Sequence, residues 1–269
     1  MTCVAALARV VVLSAALFAG TVAAQSTPKV RDIGAAPSSI LYIGNSFYYY
    51  NNSLHNHVGG IASSMPAPLR LRSASVTISG SGLDWHDVEA QFRPNAVGSY
   101  TFDANNNIVF NDPKRKLFDV TIMMDCSQCP IHPQLKKVFF EYAKKHSDAV
   151  RKHDAKPVFF MSWAYADKPE MTRQLAEAYT QAGNDNDALV IPVGLAFARS
   201  IAAKPGLNLY AADKRHPSLA GTYLAAATVY ASLFNKSPLG ATYTAGLDEA
   251  TVTHLQNVAW EAAREYYGR

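Results

Sequence analysis

Five apolar runs, most of them rich in β-branched residues, punctuate the sequence: SILYIGN (39–45), LRLRSASVTIS (69–79), FDVTIMMD (118–125), KPVFFMSW (156–163) and ALVIPVGLAF (188–197). Between most of them lie segments with helical spacing, such as PQLKKVFFEYAKKHSDAVRKHD (133–154) and PEMTRQLAEAYTQAGND (169–185). Strands that alternate with helices can bury their apolar faces in few ways, because each crossover helix must cover one face of a parallel sheet. The pattern predicts an α/β fold, a three-layer α/β/α sandwich around a five-stranded parallel sheet. Two more apolar helices, 217–234 and 247–267, follow the last strand, and Pro217 suits the first position of the former. The segment GSYTFDANNNIVFNDPKR (98–115) breaks the alternation. Its Asn-rich turn between two short strands reads as an inserted β-hairpin, expected near the ligand-binding edge.

The N-terminus has one early positive charge, Arg9, then an apolar run from Val10 to Ala19 and small residues at Val22 and Ala24. This is the pattern of a secretory signal peptide, residues 1–24, cleaved near Ala24. The expected location is secreted or periplasmic, and no stretch is long enough for a membrane span. Residues 25–269 suffice for a single large α/β domain with a full hydrophobic core, without repeats or linkers. A composition of 49% hydrophobic and 17% charged residues is that of a globular protein. The formal charge of +4 is small and scattered, which argues against nucleic acid as a partner.

Once Cys3 leaves with the signal peptide, Cys126 and Cys129 remain, in DCSQCP. An exported CxxC can close a local disulfide, bind a metal with two further ligands, or exchange thiols. No second CxxC or well-spaced CxxH accompanies it, and a local disulfide is the favoured reading. His55 and His57 alternate on a helix and point apart, so no metal site is expected there.

Ligands of open α/β sheets bind beyond the carboxyl ends of the strands. There stand Gly44-Asn45-Ser46, Ser79-Gly80-Ser81-Gly82, Asp125 to Gln128, Trp163-Ala164-Tyr165 and, further on, Asp213 to His216. A serine nucleophile needs a base, a group that orients the base, and donors for an oxyanion. Ser46 sits where the first strand hands over to a helix, which allows either a nucleophile or a helix N-cap. Asp213 and His216 lie three apart before an apolar helix. That spacing lets one loop present an imidazole while the carboxylate fixes its tautomer.

ILYIGNSF near the mature N-terminus and DKRHPSLAGTYLAA near the C-terminus together resemble the SGNH hydrolase superfamily, or GDSL esterases and lipases. The resemblance implies a flavodoxin-like sandwich, with Ser46 as nucleophile, His216 as base and Asp213 as its partner. It also implies an oxyanion hole from the Ser46 N–H, a glycine of the second motif and an amide of the third. SGSGLDWH offers Gly80, with Gly82 as the alternative, because Ser81 and Asp84 can also form a capping box. The third motif, usually Gly-x-Asn, aligns Cys126 with the glycine and Gln128 with the asparagine. Asn45 replaces the more familiar aspartate of the first motif.

Asn45, His86, Trp163 and Tyr165 are the expected substrate-binding residues; His86 equally suits a helix surface, and Trp163 and Tyr165 equally suit loop anchors over the core. Tyr48, Tyr49, Tyr50, Tyr100 and Phe102 extend the expected aromatic rim. The implied chemistry is cleavage of short-chain or O-acetyl esters of small molecules or glycans, with no metal or organic cofactor. Two alternatives are an acyltransferase or deacetylase of cell-envelope glycan with the same triad, and a non-catalytic sugar-binding module.

Overall fold

The computed structural model describes residues 26–96, 100–110, 112 and 114–269. The segment expected to be a signal peptide, residues 1–24, and part of the hairpin flanks lie outside these residues. β1 (Ser39–Gly44), β2 (Arg72–Thr77), β5 (Val120–Met123), β6 (Lys156–Phe160) and β7 (Leu189–Ile191) form one parallel sheet in the order β2-β1-β5-β6-β7. This is the flavodoxin-like order. Every residue of β1 and β5 is buried, as strands covered on both faces must be. Ile40 of β1 stands opposite Ser73 of β2 and Val120 of β5, so the register aligns the carboxyl ends of the central strands.

α2 (Leu54–Ser63), α5 (Val193–Ala203), α6 (Leu219–Phe234) and α7 (Glu249–Tyr267) gather in one layer. α3 (Lys136–Arg151) and α4 (Met171–Asp185) pack together in the other. The winding reverses between β1 and β5. A crevice opens at such a switch point, between the loops that leave the two strands. α6 is apolar around its whole circumference, and each of its residues from Ala220 to Phe234 is buried. Such a helix belongs inside a protein and not on its surface. Its N-cap is Ser218, whose side chain accepts from the Gly221 N–H, so the helix begins two residues after Pro217.

β3 (Tyr100–Phe102) and β4 (Ile108–Phe110) form the predicted antiparallel hairpin, joined to each other and not to the main sheet. The expected position near the ligand-binding edge is corrected. Pro94, Asn95, Lys114 and Leu117 on its flanks share a cavity of about 260 Å³ with Lys152 to Asp154, which lead into β6. Phe92 stacks on His153 and meets Phe118 edge-on. The hairpin is therefore rooted at the amino end of the sheet. No helix of the described residues is long and apolar enough to cross a membrane.

Candidate active site

β1 ends at Gly44, where a side chain would run into the Tyr48 ring at 2.9 Å. Asn45 then caps the short helix α1 (Ser46–Tyr49), its Oδ1 accepting from the Phe47 N–H. The cap is thus Asn45, and Ser46 is the first helical residue with its hydroxyl free for another partner. That partner is His216, whose Nε2 lies 2.8 Å from Ser46 Oγ.

Asp213 Oδ2 contacts His216 Nδ1, and its Oδ1 accepts from the backbone N–H groups of Arg215 and His216, each at 3.0 Å. Lys214 supplies the turn, at a left-handed φ of 63°. The hydrogen bond to His216, with the two backbone donors, holds the Asp213 carboxyl down at about 2. With Asp213 ionised, Nδ1 carries the imidazole proton and Nε2 is left to accept from the serine hydroxyl. Chemically, this arrangement can withdraw a proton from Ser46 and return it to a leaving group.

The loop is held from several sides. Ala211 N–H donates to His216 O at 2.8 Å, Ala166 N–H to Lys214 O at 3.0 Å, and Trp163 Nε1–H to Arg215 O at 2.9 Å. Trp163 is fully buried, its ring between Phe47 at 4.4 Å and Phe197 at 4.3 Å. It lies beneath the site as a support, where the sequence suggested a substrate wall or a loop anchor. Tyr165 is also buried; its hydroxyl pairs with Ser127 Oγ at 2.6 Å, and the Arg215 guanidinium lies over its ring at 4.9 Å. Of the expected rim aromatics, Tyr48 is in the core, Tyr49 is exposed and bonded to Ser79, and Tyr50 stacks on His216. Tyr100 and Phe102 are exposed on the hairpin, which pairs with no strand of the main sheet.

The loop from Ser79 to Leu83 follows β2 and meets Asn45, the residue before Ser46. Gly80 adopts φ +71° with open space around its Cα, a conformation that glycine adopts freely. Ser81 N–H donates to Ile78 O and Leu83 N–H to Asp125 Oδ1. The N–H groups of Gly80 and Gly82 have no acceptor among the described residues, and both stay candidates for an oxyanion hole. Ser81 is buried and forms no capping box; its hydroxyl donates to Gly44 O at 3.2 Å and lies 2.9 Å from His86 Nε2. His86 is buried beneath this loop, and burial pushes its pKa down, with nearby His146 adding to the effect.

Asn45 is buried as well. Its Nδ2 donates to Ser81 O at 2.9 Å and to Asp125 O at 3.2 Å, which ties the loops after β1, β2 and β5 together. Asp125, a residue the sequence placed at a strand end without a role, accepts from Leu83 N–H and Cys126 N–H. Burial raises its carboxyl to about 6 against the pull of those donors. Cys126 and Cys129 are joined in a disulfide, so the one cluster of potential metal ligands among the described residues, with Asp125, has no thiolate to offer. Gln128 is half-buried, and among the described residues its amide reaches Met171 Sδ alone, at 4.0 Å. Of the residues beside His216, Tyr50 was expected only as part of the rim and Asn51 was given no role; their only signal was the aromatic and asparagine run itself.

No protein-family model matches the chain, and no curated protein sequence matches it. Solved structures do. A DUF4886 family protein from Bacteroides uniformis superimposes with a TM-score of 0.61 at 17% identity, over 83% of this chain and 93% of the other. A candidate SGNH hydrolase from Slackia heliotrinireducens gives 0.53 at 23% identity, over 72% and 98%. The acetylxylan esterase Axe2 from Geobacillus stearothermophilus gives 0.50 at 14% identity, over 73% and 94%. The chain has the fold of the SGNH hydrolases.

Proposed function

We propose that the chain is an exported hydrolase of carboxylic esters, with residues 25–269 as its catalytic domain. One observation carries the reading: the unbroken chain of contacts from Ser46 Oγ through His216 to Asp213. His216 takes the Ser46 proton as the oxygen attacks the ester carbonyl, and the positive ring is stabilised by Asp213. The oxyanion is met by the N–H groups of Ser46 and Gly80, with Gly82 as the alternative to Gly80 and the Gln128 amide as a further donor. His216 then gives the proton to the leaving alcohol. Water, deprotonated by the same imidazole, attacks the acyl-enzyme, releases the acid and restores Ser46.

The acyl group is short, acetyl in the first instance, and the alcohol is a glycan or another small hydroxyl compound. Two facts support this choice. Ser46 is only 8% exposed, so an ester must bring its carbonyl close against the surface to reach the hydroxyl, which a small acyl group does most easily. The fold is shared with an acetylxylan esterase. The N-terminal pattern of charge, apolar run and small residues, together with a disulfide, supports export.

The test is turnover of p-nitrophenyl acetate. Wild type is expected to hydrolyse it, and Ser46→Ala to lose at least about 10³-fold in kcat. Equal rates in the two proteins would remove Ser46 from the chemistry. Acetylated xylooligosaccharides and esters of increasing acyl length then define the substrate.

A further inference from the structure

The aromatic run behind the nucleophile ends in a residue with an unusual place. Tyr50 lies one residue past α1, its N–H bonded to Ser46 O at 3.2 Å. Its ring lies flat against the His216 imidazole, 4.2 Å between centroids and 7° between planes. Phe47 approaches the same imidazole nearly at right angles, at 5.5 Å. The base is thus bounded by two rings, by Asp213 and by Ser46.

The backbone that follows Tyr50 is strained. Asn51, Asn52 and Ser53 have three consecutive positive φ angles, 51°, 67° and 65°, with no glycine among them. Such conformations persist where surrounding bonds over-determine them. Here the bonds are on Asn51. Its Nδ2 donates to Pro217 O at 2.9 Å and to Thr222 Oγ1 at 2.8 Å, so it grips the residue that follows His216 and the first turns of α6. Its carbonyl accepts from His57 Nε2 at 2.5 Å, and His57 Nδ1 pairs with the Tyr243 hydroxyl at 3.0 Å. His57 is 2% exposed, and it is one of the two histidines that the sequence left without a role.

We propose that Tyr50 is a positioning residue for the general base: Asn51 and His57 clamp its ring onto His216, and the ring face stabilises the imidazolium formed when His216 takes the Ser46 proton. The inference rests on the reading of His216 as that base. The face of an aromatic ring is electron-rich and attracts a cation held within about 6 Å of its centre. The neutral imidazole of the resting state gains less from the same contact. The stacking therefore favours the transition state over the ground state, which raises kcat and leaves KM alone.

The experiment is a ring series at position 50, read as kcat and KM for p-nitrophenyl acetate, with the melting temperature as a fold control. Tyr50→Phe and Tyr50→Trp are expected to keep kcat within about 2-fold of wild type, and Tyr50→Leu to lose about 5- to 30-fold with KM unchanged. Leucine fills similar space without a ring, so a merely structural role would not separate it from phenylalanine. Asn51→Gly keeps the left-handed turn and removes the side-chain clamp; it is expected to lower kcat in the same way. Leucine as fast as phenylalanine, or phenylalanine as slow as leucine, would overturn the proposal. If wild type fails to turn over, or Ser46→Ala matches it, the hydrolase reading fails instead, and the two outcomes cannot be confused.

Discussion

Asn45 has its side chain fully committed: one oxygen accepts at the start of α1, and one NH₂ donates to carbonyls of two other loops. An aspartate can reproduce the first bond and neither of the others. It would also bring a carboxylate against two carbonyl oxygens in a buried place. Asn45→Asp is therefore expected to lower stability by roughly 2–3 kcal/mol, one to two units of unsatisfied buried acceptor, measured by urea denaturation at pH 7. An unchanged midpoint would mean that water replaces both donors. The contrast with Trp163 shows what one residue's neighbourhood reveals in a sequence. The grouping of Ser46, Asp213 and His216 is legible because the proposed chemistry would demand those types near strand ends, at a spacing a short turn can serve. Trp163 also stands at a strand end, but its partners are Phe47 and Phe197, far away on both sides in the chain. Nothing local distinguishes a tryptophan that faces a crevice from one that props it up.

At the level of elements, β5 delivers the acid that ties two loops. The Asp125 carboxyl titrates near 6 in the fold and near 3.8 when free, because burial disfavours its charge. Between those values the folded chain holds a proton that the unfolded chain releases, so stability falls as pH rises through the window and levels off above it. The full span is at most about 3 kcal/mol. Asparagine at this position keeps an acceptor for Leu83 and Cys126 and has no charge to bury. The stability of Asp125→Asn relative to wild type is expected to climb from pH 4 to pH 6 and stay level beyond, measured by denaturant melts across that range. A flat difference would show that water reaches the carboxylate. The same scale explains an element that escaped the sequence pattern. In ALVIPVGLAF the apolar residues run on without a break, and α5 was hidden in what read as one strand. Pro192 was the available mark, since it closes β7 and precedes the first turn of α5. The other strands were readable because polar loops bound them.

For the molecule as a whole, the alternation implied a parallel sheet and the family resemblance implied the flavodoxin-like order that β2-β1-β5-β6-β7 follows, but neither gave the direction of the hairpin. A hairpin inserted between β2 and β5 can leave the body at any height along that connection. Only the packing of Phe92 on Phe118 and His153 fixes it at the amino end. Every side chain of β3 and β4 is exposed. Replacing residues 100–110 by a short Gly-Ser linker is therefore expected to keep the melting temperature within about 3 °C of wild type, with p-nitrophenyl acetate turnover unchanged. A larger drop would show that the hairpin braces the sheet.

The sequence distance between Ser46 and its base ties the pair to the assembled fold. The serine is set by β1 and α1, near the start of the described chain, and His216 by the loop before α6, 170 residues later. That loop is pinned by bonds to Trp163, Ala166 and Asn51, so it takes its shape only when β1, β6 and α6 are already in place. Contacts so far apart in the chain carry a loop-closure cost that neighbouring residues do not pay. Without His216 beside it, Ser46 is an ordinary alcohol. The proposed nucleophile and base therefore meet only in the assembled fold, and turnover by the proposed mechanism is expected to track the folded fraction of the protein.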